Sequence, residues 1–445
     1  MNTNAQRHHT SRLLAPINPG FPYDSQKVRG VNIGGWLVLE PWITPSLFDN
    51  TGNPDIVDEF TFGQLQDRQV AEEALKAHWD TFITEADFEA IAAAGLNHVR
   101  IPIGYWAFDL EEGEPYISGQ LPYLQQAIGW AQNHNLKVIV DLHGAPGSQN
   151  GSVLSSPPLP NSTVSDKPLL VSGLTILGKE SLAALYSTST WHKDPRNVER
   201  TNNVIKQIAD LFKDNASNVP IIEAMNELSW IIRLPAGFDE SLPVIKQYFY
   251  DTYGNIRFPF GDDRQSDIVV MIADAFQSLD SWKGFMPPPE HEGVMMDKHI
   301  YQIFTNDEVR RSDEDHLTAA CSVGNDLAAF ELWTVIGEWS PAATDCAKYL
   351  NGRGIGSRFD GSFEGSEFIG SCEGKTGLAS SFSDEYKEFL RKYWEAQIIT
   401  YEKGAGWIQW TWKAEQADEW SYQAGLANGW IPQDPTDLRF ANICG

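Results

Sequence analysis

Ile221-Ile222-Glu223-Ala224-Met225-Asn226-Glu227 and Trp333-Thr334-Val335-Ile336-Gly337-Glu338-Trp339 are two short, mainly apolar runs, each carrying a glutamate at or near its end. Both read as buried strands, because their apolar and β-branched residues are bounded by turn-forming neighbours. A carboxylate at the end of such a strand is costly when unpaired, since a buried charge gives up its hydration. In a closed α/β barrel the C-terminal strand ends carry the working residues. Two carboxyls gathered there suit the acid and the nucleophile of glycosidic bond cleavage. A lone strand-end glutamate is as often salt-bridged scaffolding. The pair acquires meaning only from its surroundings.

Outward from these two runs, the chain alternates. Arg29 to Val38 reads as a first strand, followed by Leu39-Glu40-Pro41. Residues 64–79 and 84–94 have helical spacing, the second with Thr84 as its cap. Strands are expected at 97–103, 137–144, 267–275, 294–302 and 406–413, besides the two glutamate runs. Helices are expected at 121–134, 201–213 and 384–403. The Ser/Pro/Asn-rich stretch 145–196 carries little pattern and reads as a long loop insertion over the barrel mouth. The expected fold is therefore an α/β (β/α)8 TIM barrel, with residues 1–28 as an N-terminal arm and 29–445 as one catalytic domain. A doubly wound open sheet is the runner-up. The barrel is preferred because Arg100, His143, Asn226, Glu227, His299, Tyr301, Glu338 and Trp412 all fall at or just past strand ends, which only a closed sheet brings to one mouth.

Composition narrows the chemistry. The 445 residues carry a formal charge of −27, which argues against nucleic acid or an anionic membrane as partner and fits a neutral polymer. No apolar run reaches the roughly 18 residues of a membrane helix. Residues 1–20 lack the apolar centre of a signal peptide, so a secretion signal is absent from this chain or has been removed. Arg29 to Val38 is glycine-rich, but no GxGxxG opens a helix there, and no dinucleotide is expected. No metal motif appears, and neither cofactor nor metal is expected. The four cysteines Cys321, Cys346, Cys372 and Cys444 allow three pairings that spacing alone leaves open. Asn150, Asn161 and Asn215 begin glycosylation triplets.

The chemistry these residues permit is specific. Retaining hydrolysis needs two carboxyls about 5–5.5 Å apart, one protonated and one ionised. Arg100 beside Glu338 would keep that carboxylate ionised, so Glu338 is the expected nucleophile and Glu227 the acid/base. Asn226 is placed to bond the sugar 2-hydroxyl, Tyr301 to orient Glu338, and Trp412 to floor the sugar subsite. Taken singly, Arg100 is more often a rim salt bridge, His143 and His299 are more often structural, and Trp412 is more often core. Asp141 and Glu223, inside apolar runs, read as buried ion-pair members outside the chemistry.

Four segments then carry a resemblance. Arg29-Gly-Val-Asn-Ile-Gly-Gly-Trp-Leu-Val-Leu-Glu-Pro-Trp-Ile-Thr-Pro-Ser-Leu-Phe, Leu96-Asn-His-Val-Arg-Ile-Pro-Ile-Gly-Tyr-Trp, Asp141-Leu-His-Gly-Ala-Pro-Gly-Ser-Gln-Asn-Gly and Ile336-Gly-Glu-Trp-Ser closely resemble the fungal exo-β-1,3-glucanases of glycoside hydrolase family 5. The resemblance runs from about residue 28 to the C-terminus. It implies a (β/α)8 barrel and retaining release of glucose from non-reducing ends, with acid/base Glu227 and nucleophile Glu338. It also implies substrate contacts at Glu40, Arg100, His143, Asn226, His299, Tyr301 and Trp412, with Phe304 at the pocket entrance. It implies pairing of Cys321 with Cys444 and of Cys346 with Cys372. The expected partner is a β-glucan or β-glucoside, and the expected state is a secreted or wall-associated monomeric glycoprotein.

The chain departs from this family pattern in two places. Asn226-Glu227-Leu228 stands where the family has Asn-Glu-Pro, which alters the loop exit more than the carboxylate. Ser152-Val153-Leu154 stand where a Phe and then Asp-Asn are usual, so half of the entrance aromatic clamp and one polar contact are either missing or supplied by residues 153–196. Two alternatives stay open. One is a β-glucosidase of other linkage or aglycone (β-1,6-glucan, a diglycoside or a glycolipid); the other is a glycan-binding wall protein without catalysis.

Overall fold

Eight parallel strands close on themselves in the order β1 to β8, with β8 pairing back onto β1. They are β1 Val28–Asn32, β2 His98–Gly104, β3 Lys137–Gly144, β4 Ile221–Glu223, β5 Val269–Ala273, β6 Val294–Ile300, β7 Trp333–Trp339 and β8 Gly406–Gln409. The computed structural model describes residues 16–150, 189–228, 241–261 and 264–445. The expected barrel is therefore found. The open-sheet alternative is excluded because it leaves two free edges. Among the described residues no helix is long and apolar enough to cross a membrane.

Several boundaries differ from expectation. β1 and β8 are shorter than read, since the chain leaves the ladder at Ile33 and again at Trp410. The first helical region resolves into Glu59–Gln64 and Arg68–Thr81. The helix before β4 begins six residues early, at Pro195, because Asp194 caps it by accepting from the Arg196 amide at 2.9 Å and proline suits the first helical position. Helices Ser241–Arg257 and Asp313–Ser322 were not anticipated. β5 reaches β6 with only the short turn Leu279–Trp282, since Gly284, Gly293 and the run Pro287-Pro288-Pro289 break any longer helix. As expected, helix Glu85–Ala93 starts at Thr84, whose amide is held by the Asp87 carboxylate at 2.9 Å.

Side chains alternate along each strand, and the inward faces are layered. Val28, Ile139, Ile221, Val269, Met295, Val335 and Ile408 form an apolar lower layer, sealed from below by Phe21 and Tyr23. The last residues of the expected N-terminal arm thus plug the barrel floor; residues 1–15 lie outside the described part. Above this layer sit Asn32, Arg100, Asp141, Glu223 and Asp297, all buried. The alternation is visible in Ile139/Asp141/His143 and in Met295/Asp297/His299. Disulfides join Cys321 to Cys444 and Cys346 to Cys372, as the resemblance implied.

Burial of titratable groups away from the mouth sets a pH dependence. Burial pushes the carboxyls of Asp58, Glu59 and Glu419 up to about 7, about 8 and about 8. These groups hold a proton in the folded chain that the unfolded chain releases at ordinary acidic values, so stability falls as pH rises toward the folded values. Burial pushes His78, His98 and His316 down to about 4, about 3 and about 4. Their contribution has the opposite sign: it is complete above the unfolded histidine value near 6.5 and lost on acidification. Above that value only the carboxyls of this set still titrate, and at the mouth Glu40, His143 and His299, all raised, act in the same direction. The expected result is a Tm lower at pH 8 than at pH 6.5 by roughly 5 °C, measured by calorimetry. A flat or rising Tm across that interval would refute it.

Candidate active site

The mouth of the barrel holds a cleft with about 410 Å³ of empty space, open solvent at its entrance included. Glu40, His143, Asn226, Glu227, Tyr301, Phe304 and Glu338 line it, seven of the residues expected at the site. Arg100 and His299 lie immediately beneath, joined to the lining by hydrogen bonds.

Arg100 occupies the third position of β2 rather than its end, so its guanidinium points into the barrel and is fully buried. It donates to Glu338 Oε1 at 2.9 Å, to Glu223 at 2.7 and 3.1 Å, to Asn32 at 2.9 Å and to Asn226 Oδ1 at 2.8 Å. Asp141 pairs with it at 3.1 Å. Glu223 and Asp141 are thus the buried ion-pair partners expected from their positions in apolar runs. One arginine orients both Glu338 and the asparagine preceding Glu227. Tyr301 donates to the other oxygen of Glu338 at 3.0 Å. With a donor on each oxygen, Glu338 is held as an acceptor, the arrangement that suits an ionised carboxylate. Burial pushes its carboxyl above the usual range, while the cations His299 and Arg100 pull against that rise.

Glu227 follows β4 on a residue with φ of 44°, a left-handed conformation that is uncommon for a side-chain-bearing residue and often marks functional sites. Its carboxylate meets His299 Nδ1 at 2.9 Å. An oxygen of Glu227, a ring nitrogen of His299 and an oxygen of Glu338 all lie within 4.8 Å of one another. The nearest oxygens of the two carboxyls are therefore within 4.8 Å, an approach compatible with a retaining pair and too close for the wider gap of an inverting one. Although burial lowers the His299 imidazole, Glu338, Asp297 and Glu227 outweigh that and raise it well above its ordinary value. His143 is likewise lowered by burial but raised overall by Asp141, which pairs with its Nδ1 at 2.7 Å. Burial pushes Glu40 up to about 8, leaving it a neutral acid at pH 7; one of its oxygens accepts from the Trp42 indole at 2.9 Å.

Trp412 is the expectation that fails. It lies beyond the end of β8 and does not line the cavity. Its indole donates to Asp87 at 2.9 Å, and its ring packs in the shell between barrel and helices, 6.2 Å from Tyr422. Trp410 lines the cavity instead, stacked on His143 at 5.5 Å. Strand alternation cannot be carried past Gln409, where the ladder stops, so spacing alone could not choose between the two tryptophans. Trp42, Gln149, Asn150, Leu350 and Trp420 also line the cavity without having been anticipated. Trp42 was signalled only by standing two residues after Glu40.

Gln149 donates to the carbonyls of His143 and Asn226, and Thr190 N returns to Gly147 O at 2.7 Å. The insertion read at 145–196 therefore leaves from and returns to the cavity rim. Its residues 151–188 lie outside the described part, as do the departures at Ser152, Val153 and Leu154 and the triplet at Asn161. Asn150 is 5% exposed and lines the cavity, so an attached glycan has no room there in this conformation. Asn215 is partly exposed.

A sequence profile described as cellulase (glycosyl hydrolase family 5) matches residues 64–233. A protein of Blumeria graminis named glucan 1,3-beta-glucosidase is 40% identical over 430 residues, which is 96% of this chain and 91% of that protein. A probable glucan 1,3-beta-glucosidase A of Emericella nidulans is 41% identical over 422 residues, 94% and 93% of the two chains. Among solved structures, a rutinosidase from Aspergillus niger matches with a TM-score of 0.66 at 17% identity, covering 93% of this chain and 99% of that one. That likeness bears on the fold alone.

Proposed function

Because the chain belongs to glycosyl hydrolase family 5 and to its glucan 1,3-β-glucosidases, it is a retaining glycoside hydrolase acting on β-glucan from the chain end, and we propose that Glu227 and Glu338 carry its double displacement. Glu338 attacks the anomeric carbon while Glu227 protonates the departing oxygen. Glu227 then deprotonates the water that releases glucose. The observation that carries these roles is the short approach of the two carboxyls around His299, within one lined cavity. A donor on each oxygen of Glu338 favours it as the nucleophile.

Around that pair, Asn226 is assigned to the 2-hydroxyl, Glu40 and His143 to the other hydroxyls, and Trp410 and Phe304 to the sugar faces. Two disulfides support an extracellular setting. The chain is assigned as a secreted monomer built as one catalytic unit over residues 29–445, with a neutral β-glucan rather than nucleic acid or membrane as its partner.

Digestion of laminarin followed by NMR tests the whole reading. β-Glucose appears first and alone among early products. Early oligosaccharides or α-glucose would overturn it. The same experiment on β-1,6-glucan and on aryl diglycosides decides between this substrate and the other linkages.

The two tryptophans separate by their effects. Trp410→Ala lowers kcat/KM by about tenfold with the fold intact, the loss of one aromatic face. Trp412→Ala costs about 3–5 kcal/mol of stability and leaves kcat/KM of the folded fraction unchanged. Thermal melts beside steady-state kinetics check both, and the reverse pattern would restore Trp412 to the site.

A further inference from the structure

Between β6 and β7 the pairing register slips. Lys298 faces Ile336, but His299 faces Glu338, so Gly337 has no partner opposite it. A bulge of this kind turns the following side chain toward a new direction, and here the following residue is Glu338. The Gly337 amide, freed from the ladder by the slip, donates to Asp297 Oδ1 at 2.9 Å. Its carbonyl accepts from Asn32 Nδ2 at 2.8 Å. The other oxygen of Asp297 meets His299 Nε2 at 2.9 Å, and the far nitrogen of that ring meets Glu227. Glycine at 337 is required by this contact, since a Cβ there would lie 2.1 Å from Asp297 Oδ1. Asp297 is buried one layer below the cavity and does not line it.

We propose that Asp297 is the positioning residue of this site, one carboxylate tying the bulge that aims Glu338 to the imidazole that holds Glu227. It rests on the assignment of Glu227 and Glu338 given above and adds what fixes their separation. His299 is faced by Asp297 from its own strand, by Glu223 and Glu227 from β4 and its exit, and by Glu338 from β7, with Arg100 of β2 3.9 Å from the Asp297 oxygen that His299 binds. Glu338, Asp297 and Glu227 together keep the imidazole charged, and the Asp297 contact is the one that does not change as the other two partners react.

The test is Asp297→Asn, which keeps the shape and an acceptor for the Gly337 amide but removes the charge. The expected result is a kcat lower by about 10- to 100-fold with KM nearly unchanged. Without Asp297 the imidazole releases its proton at neutral pH and Glu338 loses an adjacent cation, so the acid limb of kcat/KM moves up by about one pH unit. Gly337→Ala, which displaces the same carboxylate, moves the limb in the same direction. The double variant is no worse than the poorer single one, because both act through one contact. An Asp297→Asn enzyme with the parent's pH profile overturns the proposal, as does a double variant whose loss is the product of the two single losses. Should Asp297→Asn not fold, ¹⁵N-histidine NMR of the unmodified enzyme decides: an imidazolium persisting through neutral pH supports the proposal, and ordinary titration near 6.5 defeats it. Azide rescue of Glu338→Gly tests the pair separately, so an absent rescue removes both readings whereas a parental profile removes only this one.

Discussion

Glu338→Gly lowers turnover of β-1,3-glucan by about 10⁴-fold or more, and added azide recovers activity by forming α-glucosyl azide. Removing this carboxylate leaves a space on the α face of the sugar, where a small anion can enter and displace the leaving group once. Glu227, still in place, protonates the departing oxygen. The single displacement inverts the anomeric centre, and the product has no path to hydrolysis by this enzyme. Arg100 and Tyr301, which held both oxygens of Glu338 in the parent, remain to receive the azide. NMR of the product identifies the anomer; no azide adduct, or activity close to the parent's, would remove Glu338 from the nucleophile's role. Because Glu338 works ionised and its burial raises it, the acid limb of activity in the parent enzyme lies above the ordinary glutamate value of about 4.3.

Glu227→Ala separates substrates by their leaving groups. A sugar alkoxide cannot depart without a proton, so laminari-oligosaccharides slow by about 10³-fold, within the range of general acid catalysis. A dinitrophenolate departs unaided, so the first step on dinitrophenyl glucoside is slowed by less than about tenfold. The glucosyl enzyme then accumulates, since no base activates water, and azide relieves it by attacking the β face to give β-glucosyl azide. The two variants thus yield opposite anomers. Were the anomers exchanged, the roles of Glu227 and Glu338 would be exchanged with them.

Much of the barrel is legible in the chain because a buried parallel strand must be continuously apolar. β3 and β7 fall at the boundaries that rule gives, Lys137 to Gly144 and Trp333 to Trp339. The rule overreaches where an apolar run continues after the ladder ends. Ala224 and Met225 belong to the core yet lie beyond β4, and Trp410 and Trp412 lie beyond β8. Helix Ser241–Arg257 is obscured in the sequence because Pro243, Gly254 and its β-branched and aromatic residues are poor helix formers. Asp297 was legible in principle. Asp141-Leu142-His143 and Asp297-Lys298-His299 share one spacing, and at a period of two each sets a carboxylate beneath an imidazole on the inward face.

From the chain alone follow the alternation of strands and helices, the carboxyls at the heads of two apolar runs, and the arginine and tyrosine that serve one of them. Period-two and 3.6-residue patterns are local, so they survive without knowledge of the rest of the molecule. The tertiary structure alone decides that Glu227 and Glu338 stand within 4.8 Å of a common neighbour, that Trp410 rather than Trp412 faces the cavity, and that the register slips at Gly337, just before Glu338. β4 and β7 are not neighbours in the barrel. Their separation is the accumulated result of strand tilt, register and closure through every strand between them, a quantity that no segment of sequence contains.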